Sequence, residues 1–201
     1  MNIPQLSPIY VCTNTERHEP SAFLLLGMSK KGKVYVLDEW YREGEESFTS
    51  IEAVGYLVDW LKDAKEEYFD VLAPANKGHK AYLQPDWVFT QTKKFAEHFY
   101  YNHRGNIALR FRVGNTDEDQ GIDRIGMLIK TDRLIGIKEN CPNLRREMET
   151  TTLDEMKPTL ACLVDGVNML FSSHARRRIQ GDVAIDEERL SNKELIQRFF
   201  N

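Results

Sequence analysis

The sequence has few cysteines and no long apolar run. Its three cysteines, Cys12, Cys141 and Cys162, form no CxxC pair, so neither a disulfide framework nor a zinc site is indicated. No apolar stretch is long enough to cross a bilayer, and the N-terminal residues MNIPQLSP lack a signal-peptide pattern. These absences favour a reducing cytoplasm and argue against a secreted or membrane-inserted chain.

Catalytic signatures with a fixed spacing are also missing. The chain contains no GxxxxGK[ST] loop and no GxGxxG turn, so binding of ATP or a dinucleotide is not indicated. It has no GxSxG nucleophile elbow and no HExxH helix. The formal net charge of -4 argues against a uniformly basic nucleic-acid coat, although Lys and Arg can still cluster locally.

The patterns that are present predict one folded domain. With 201 residues, of which 41% are hydrophobic, the chain is long and apolar enough for a single core. Strand patterns at 8–13, 21–28 and 33–41 predict an antiparallel meander. In the third strand, strict alternation places Asp38 with Trp40 on one face and Glu39 on the other.

Helical and strand patterns alternate in the rest of the chain. Helices are predicted at 49–66, 87–102, around 122–129, 142–150, 158–174 and 192–200, and strands at 69–73, 107–113 and 134–137. A strand after a helix favours a parallel crossover. The order therefore predicts an α/β domain whose mixed central sheet has three antiparallel strands and then parallel strands, flanked by helices.

The predicted domain occupies residues 9–175. Residues 1–8 are interpreted as a linker or tail that joins this domain to a longer protein. Residues 176–201 are interpreted as a polar C-terminal tail that contains a short helix.

Several oxygen-bearing side chains are candidates for metal chemistry. The acids are Asp38, Glu39, Asp70 and Asp165, and Asn14 ends the first strand. Two-metal phosphodiester hydrolysis needs carboxylates that converge from several elements of structure. Spacing alone does not show convergence, and each acid is also compatible with an exposed or locally paired carboxylate.

A series of segments in the same order resembles the nuclease domain of phage terminase large subunits. The segments are YVCTNTERHEPSAFLLLGMSKKGKVYVLDEW, DVLAPANKG, DQGIDRIGMLIKTDRLIGIKENCPNLRREMET and LACLVDGVNMLF, and they cover about residues 8 to 172. The resemblance implies a ribonuclease H-like fold and a two-metal-dependent endodeoxyribonuclease that cleaves double-stranded DNA during viral genome packaging. It also implies Mg²⁺ or Mn²⁺ as cofactor, other terminase or portal components as partners, and the host cytoplasm as location.

The sequence departs from the family pattern at the positions to which the resemblance assigns a catalytic role. Asn14 stands at the first family aspartate and Ala73 at the second, and Asp165 matches the last acidic position. Cys162 stands where the family has a histidine. Asn14 can ligate a metal ion beside Asp165, but an amide brings no charge and a methyl group no ligand, so two ions should be held poorly.

Three nearby acids are candidate substitutes for the missing ligands: Asp38, Glu39 and Glu16. Two basic runs are candidate DNA-phosphate contacts: Lys30, Lys31 and Lys33, and Arg176, Arg177 and Arg178. Such runs are also typical of solvated surface charge. Three hypotheses therefore stay open: a nuclease domain with weakened or absent cleavage, a noncatalytic DNA-binding or protein-docking module without a cofactor, and an unrelated α/β domain.

Overall fold

The computed structural model describes residues 3–14, 21–42, 50–64, 87–90, 93–102, 109–113, 117–150, 157–172 and 192–200. The strands are β1 (Leu6–Asn14), β2 (Ser21–Ser29), β3 (Val34–Arg42), β4 (Trp87–Thr90), β5 (Phe111–Val113) and β6 (Leu134–Gly136). The helices are α1 (Ser50–Ala64), α2 (Lys93–Asn102), α3 (Glu118–Lys130), α4 (Pro142–Thr150), α5 (Pro158–Ser172) and α6 (Asn192–Phe199).

The described strands form one mixed sheet of six strands in the order β5-β4-β1-β2-β3-β6. The first three strands are antiparallel neighbours, β4 lies parallel to β1, β5 lies parallel to β4, and β6 lies parallel to β3. Three antiparallel strands followed by parallel strands form the sheet of a ribonuclease H-like fold. The predicted fold class is confirmed.

The sheet separates two apolar layers. Helices α1 and α2 supply Val54 and Phe95 to the layer on one side, which we call the α1 face. Helices α3 to α6 cover the other side, which we call the α5 face, and bury Leu128, Val164 and Phe199 against it. None of the helices in the described ranges is both long and apolar enough to cross a membrane.

The strand beside β1 comes from an unexpected part of the chain. The strand predicted at 69–73 lies outside the described residues, and the neighbour of β1 is β4, with Tyr10 opposite Trp87 and Cys12 opposite Phe89. The helix predicted over 87–102 begins only at Lys93, so that prediction was wrong in its first residues. The aromatic and β-branched residues of β4 are those that favour strands.

A β-bulge in β3 changes the faces of its acids. The pairing of β2 with β3 shifts by one residue at Leu37. Before the shift Val36 lies on the α5 face, and after it Trp40 packs on the α1 face together with Leu37. Strict alternation, which placed Asp38 and Trp40 with Val36 and put Glu39 on the opposite face, was therefore wrong, because one inserted residue reverses every position that follows.

Both ends of the described chain belong to the folded core. β1 begins at Leu6, inside the segment 1–8 that was interpreted as a linker, and Leu6 is fully buried. The short helix predicted in the C-terminal tail is α6, and its Phe199 is fully buried on the α5 face. The packed structure thus extends beyond the predicted limits of 9 and 175.

Candidate functional site

The last residue of β1, Asn14, lies beneath α5. The Cys162 thiol of α5 donates a hydrogen bond to the carbonyl oxygen of Ala22, with Sγ and O 3.2 Å apart, and Ala22 is the β2 partner of Asn14. The backbone N–H of Asn14 also donates to Cys162 Sγ. One turn along α5, Gly166 lies directly against Cys12 Sγ. The turn of α5 from Cys162 to Gly166 therefore crosses over residues 12–14 of β1. Asp165 belongs to this turn.

Asp165 is buried in this crossing, with 6% of its surface exposed. Burial raises the pKa of the Cys12 thiol, and the nearby Asp165 carboxylate raises it further. Burial is likewise the main cause of the raised pKa of Cys162, to which Cys12 and Asp165 also contribute. Both thiols are therefore protonated near neutral pH, and they are neutral neighbours of Asp165 rather than thiolate ligands.

The Asn14 side chain is the least satisfied polar group of the crossing. It is fully buried, and among the residues that the structure describes neither its carboxamide oxygen nor its nitrogen has a hydrogen-bond partner. Leaving a buried polar group unpartnered costs about 1–3 kcal/mol. A native protein rarely keeps such a group without a reason, which marks Asn14 as a candidate functional residue.

The second buried asparagine, on α5, is placed differently. Asn168 Oδ1 accepts from Arg124 Nη1 at 2.6 Å, and Asn168 Nδ2 donates to the Asp117 carbonyl oxygen at 2.6 Å. The Arg124 guanidinium carbon also lies 5.0 Å from the centre of the Phe171 ring. This network ties α5 to the start of α3.

The second predicted site residue, Ala73, lies outside the described residues, as do Glu16, Arg176, Arg177 and Arg178. The strand next to β1 instead contributes Phe89, which packs on the α5 face beside Tyr10. Its last residue, Thr90, is buried and lies on the α1 face by alternation. β4 therefore brings no carboxylate to Asn14 and Asp165.

Asp38 is held on the α1 face, away from Asp165. Its Oδ2 accepts from Trp60 Nε1 at 3.3 Å, and its Oδ1 accepts from the backbone N–H of Glu39 at 2.9 Å. These two hydrogen bonds hold the Asp38 carboxylate at the end of β3 and against α1. The structure does not place Asp38 as a substitute ligand beside Asp165.

Glu39 lies on the α5 face, but its carboxylate caps a helix. Its two oxygens accept the backbone N–H groups of Asn143 at 2.6 Å and Leu144 at 2.8 Å, in the first turn of α4. Burial raises the pKa of Glu39, although these N–H groups act in the opposite direction. Glu39 is therefore a structural residue of the β3–α4 contact, and it is not positioned as a metal ligand.

A second glutamate repeats this arrangement one helix further on. Glu147 of α4 is 1% exposed, and its Oε2 accepts the backbone N–H of Leu160 at 2.9 Å in the first turn of α5. Both capped helices begin with proline, which suits the first helical position, and a carboxylate is favourable at a helix N-terminus. Glu39 of β3 thus caps α4, and Glu147 of α4 caps α5. The position of Asp165 on α5 depends on both caps. The capping role of Glu147 was not predicted from the sequence.

Glu147 should make the stability of the protein depend on pH. Burial is the first cause of its raised pKa. Because the folded state holds the proton more tightly than the unfolded chain, the free energy of unfolding falls as pH rises from about 4.3, the unfolded pKa, through the folded value. We expect Glu147→Gln, which keeps the acceptor, to be at least as stable as the parent at pH 7. Glu147→Ala loses the cap and about 1 kcal/mol.

Urea unfolding between pH 4 and pH 8 tests this expectation. Glu149→Gln is the matched control, because Glu149 lies on the same helix in an exposed pair with Arg145, at 2.9 Å, and should leave the pH profile unchanged. If Glu147→Gln retains the full pH dependence of the parent, then another group controls it.

The predicted lysine contacts lie far from the site. Lys30, Lys31 and Lys33 belong to the turn between β2 and β3. Asn14 pairs with Ala22 at the other end of β2, and the distance from Ala22 to Ser29 is about 24 Å at 3.4 Å per residue. A role for these lysines in DNA binding stays a prediction.

The described residues do not fit a two-metal centre. Among them, no group of three or more His, Cys, Asp or Glu side chains is arranged to hold a metal ion. Asp165 supplies one carboxylate, Asn14 supplies a neutral amide, and the adjoining thiols are protonated. Mg²⁺ and Mn²⁺ prefer several hard, mostly anionic oxygen ligands.

Solved structures with the same ribonuclease H-like fold include the large terminase of a thermophilic bacteriophage. The complex of that terminase with ADP aligns with a TM-score of 0.63 and 15% identity, over 85% of this chain and 42% of that chain. A second structure of the same terminase aligns with a TM-score of 0.53 and 14% identity, over 98% of this chain and 41% of that chain.

The chain spans about two fifths of the length of these terminases. No family model matches the chain, and no curated protein is significantly similar to it. At this identity the alignment establishes a shared fold, which is the fold that the resemblance to terminase nuclease domains implied.

Proposed function

We propose that this chain is the ribonuclease H-like domain of a terminase-type protein that acts on double-stranded DNA during viral genome packaging, with DNA cleavage that is weak or absent. Two findings support the proposal: the colinear motifs and the fold shared with a phage large terminase. Other terminase or portal components are the proposed partners, and Mg²⁺ or Mn²⁺ is the cofactor only if cleavage persists.

The observation that carries the weak or absent cleavage is the buried amide of Asn14 near Asp165, which has no hydrogen-bond partner among the described residues. It occupies the end of β1, where the resembling family has an aspartate. Two-metal hydrolysis relies on ions that activate water and stabilise the leaving oxygen. Within the described part of the chain, one carboxylate and one neutral amide leave most positions around two such ions without an anionic protein ligand.

Nicking of supercoiled plasmid in Mn²⁺ tests the cleavage part of the proposal. We expect the parent and Asp165→Asn to give the same background level of nicked product, because the described residues provide too few ligands for two ions. Asp165→Asn changes one charge and little volume, so thermal melting should show that it is folded. Efficient metal-dependent nicking by the parent that is lost in Asp165→Asn would show an active nuclease site and would contradict weak or absent cleavage.

DNA binding in chelator tests the remainder of the proposal. We expect the parent to bind a short duplex, with an affinity that falls as salt increases because phosphate contacts release counterions. If the folded protein shows no measurable binding to duplex DNA even at low salt, the proposed function as a DNA-acting domain is wrong.

A further inference from the structure

Two arginines and one tryptophan form an unusual cluster at an edge of the described sheet. Arg110 and Arg112 flank Phe111 of β5, the outer strand beside β4. Their guanidinium carbons lie 5.8 Å and 3.9 Å from the centre of the Trp87 ring. We call Arg110, Arg112 and Trp87 the arginine ridge.

Both arginines have their donors available. In the ranges that the structure describes, neither is in an ion pair, whereas two other surface cations, Lys62 and Arg145, are paired with acids. Stacking on an indole uses the flat face of a guanidinium and leaves the N–H groups at its edge for an acceptor. The stack also orients Arg112 before any partner binds.

The ridge lies on the same side of the sheet as Asp165. Trp87 packs against the core of the α5 face, and Arg112 is in register with Phe89, which is in register with Cys12. Two strand spacings separate Arg112 from Cys12, about 10 Å. Cys12 adjoins Asp165, so the ridge is much closer to the candidate site than the lysine turn is.

The chemistry of the ridge selects phosphate rather than bases. A protein that binds single strands offers aromatic faces on which bases stack, but here the face of Trp87 is occupied by Arg112. A planar guanidinium matches phosphate oxygens with two parallel hydrogen bonds. Unpaired arginines on a chain with a net charge of -4 are a local positive feature that complements a polyanion.

We propose that the arginine ridge binds the phosphate backbone of duplex DNA and positions the duplex along the β4–β5 edge toward Asp165. This inference rests on the proposed function, because duplex DNA is the ligand that the proposed function supplies. These residues were not predicted as contacts from the sequence, in which arginine alternates with apolar residues between 109 and 113.

The test is the salt dependence of duplex binding for Arg110→Gln/Arg112→Gln, measured by fluorescence anisotropy in chelator. Each lost phosphate contact lowers the slope of log K against log salt by about 0.9, so we expect a slope smaller by roughly 2 and binding weaker by about 10- to 100-fold. Lys62→Gln/Arg145→Gln removes the same charge from the two paired surface cations and should change binding much less.

The outcomes separate the two proposals. If the parent binds DNA and the two double variants are equally weakened, the ridge inference is wrong and the proposed function stands. If the parent does not bind DNA, both are wrong. Should the ridge double variant fail to fold, Arg110→Gln decides, since Arg110 is exposed and farther from the ring; it should lower the slope by about 1, and an unchanged slope overturns the inference.

Discussion

Asn14→Leu is expected to be more stable than the parent by about 1–3 kcal/mol, the cost of a buried polar group without partners. Leucine has the same branched skeleton as asparagine, and the surrounding Cys12 and Cys162 thiols are uncharged near neutral pH because burial raises the pKa of both. Residues retained at a cost in stability are typical of functional positions. Urea unfolding at pH 7 measures the difference.

Asn168→Leu is the matched control, because this buried asparagine uses its amide in two hydrogen bonds of 2.6 Å. Its loss leaves Arg124 and the Asp117 carbonyl without that partner, so we expect a destabilisation of about 2–3 kcal/mol. Two buried asparagines should thus respond in opposite directions to the same substitution. If Asn14→Leu is destabilising as well, the Asn14 amide has a partner in solution and its functional interpretation loses support.

In the absence of metal, Asn14→Asp should destabilise the protein, whereas Asn14→Leu should stabilise it. It brings a second carboxylate into the buried crossing next to Asp165, and an uncompensated buried charge costs about 3–5 kcal/mol unless a proton or a cation neutralises it. Mn²⁺ should therefore stabilise Asn14→Asp more than the parent. Asn14→Asp/Asp165→Asn keeps only one carboxylate, so it should lose most of the destabilisation without metal and most of the added stabilisation by Mn²⁺. If Asn14→Asp melts at the same temperature as the parent, the two positions do not share a site.

The sequence predicted the elements whose signals are local. The apolar stripe of Ile125, Leu128 and Ile129 marks α3, and proline at the first helical position marks α4 and α5. β4 was missed because four residues, Trp87–Thr90, carry too little periodicity to separate a strand from the start of a helix. Its identity is decided by pairing with β1, which is a tertiary interaction.

The site could be predicted only in part for the same reason. The resemblance pointed to Asn14 and Asp165, and the crossing of α5 over β1 brings them together. The capping role of Glu39 depends on Asn143, 104 residues away, and on a bulge that alternation cannot reveal. The sequence therefore left Glu39 as a candidate substitute ligand, whereas the fold uses it to cap a helix.

Gly166→Ala is expected to destabilise the protein by about 1–3 kcal/mol, although alanine is the better helix former. A Cβ at this position would lie closer to Cys12 Sγ than real contacts allow, whereas Cys12 Cβ and Leu26 Cδ1 would be at an ordinary 3.6 Å. Gly126→Ala in α3 is the control, because a Cβ there meets nothing within 4 Å. It should stabilise the protein by about 0.5–1 kcal/mol.

A double-mutant cycle isolates the contact between α5 and β1. Cys12→Ala removes the sulfur with which the Cβ of Gly166→Ala would clash. Cys12→Ala/Gly166→Ala should therefore be more stable, by about 1–2 kcal/mol, than the sum of the two single effects predicts. Strict additivity would mean that α5 does not approach β1 at Cys12. The same contact controls the separation of Asp165 from position 14. Pushing α5 outward with Gly166→Ala should therefore reduce the additional destabilisation caused by Asn14→Asp, because the two carboxylates then repel each other over a longer distance.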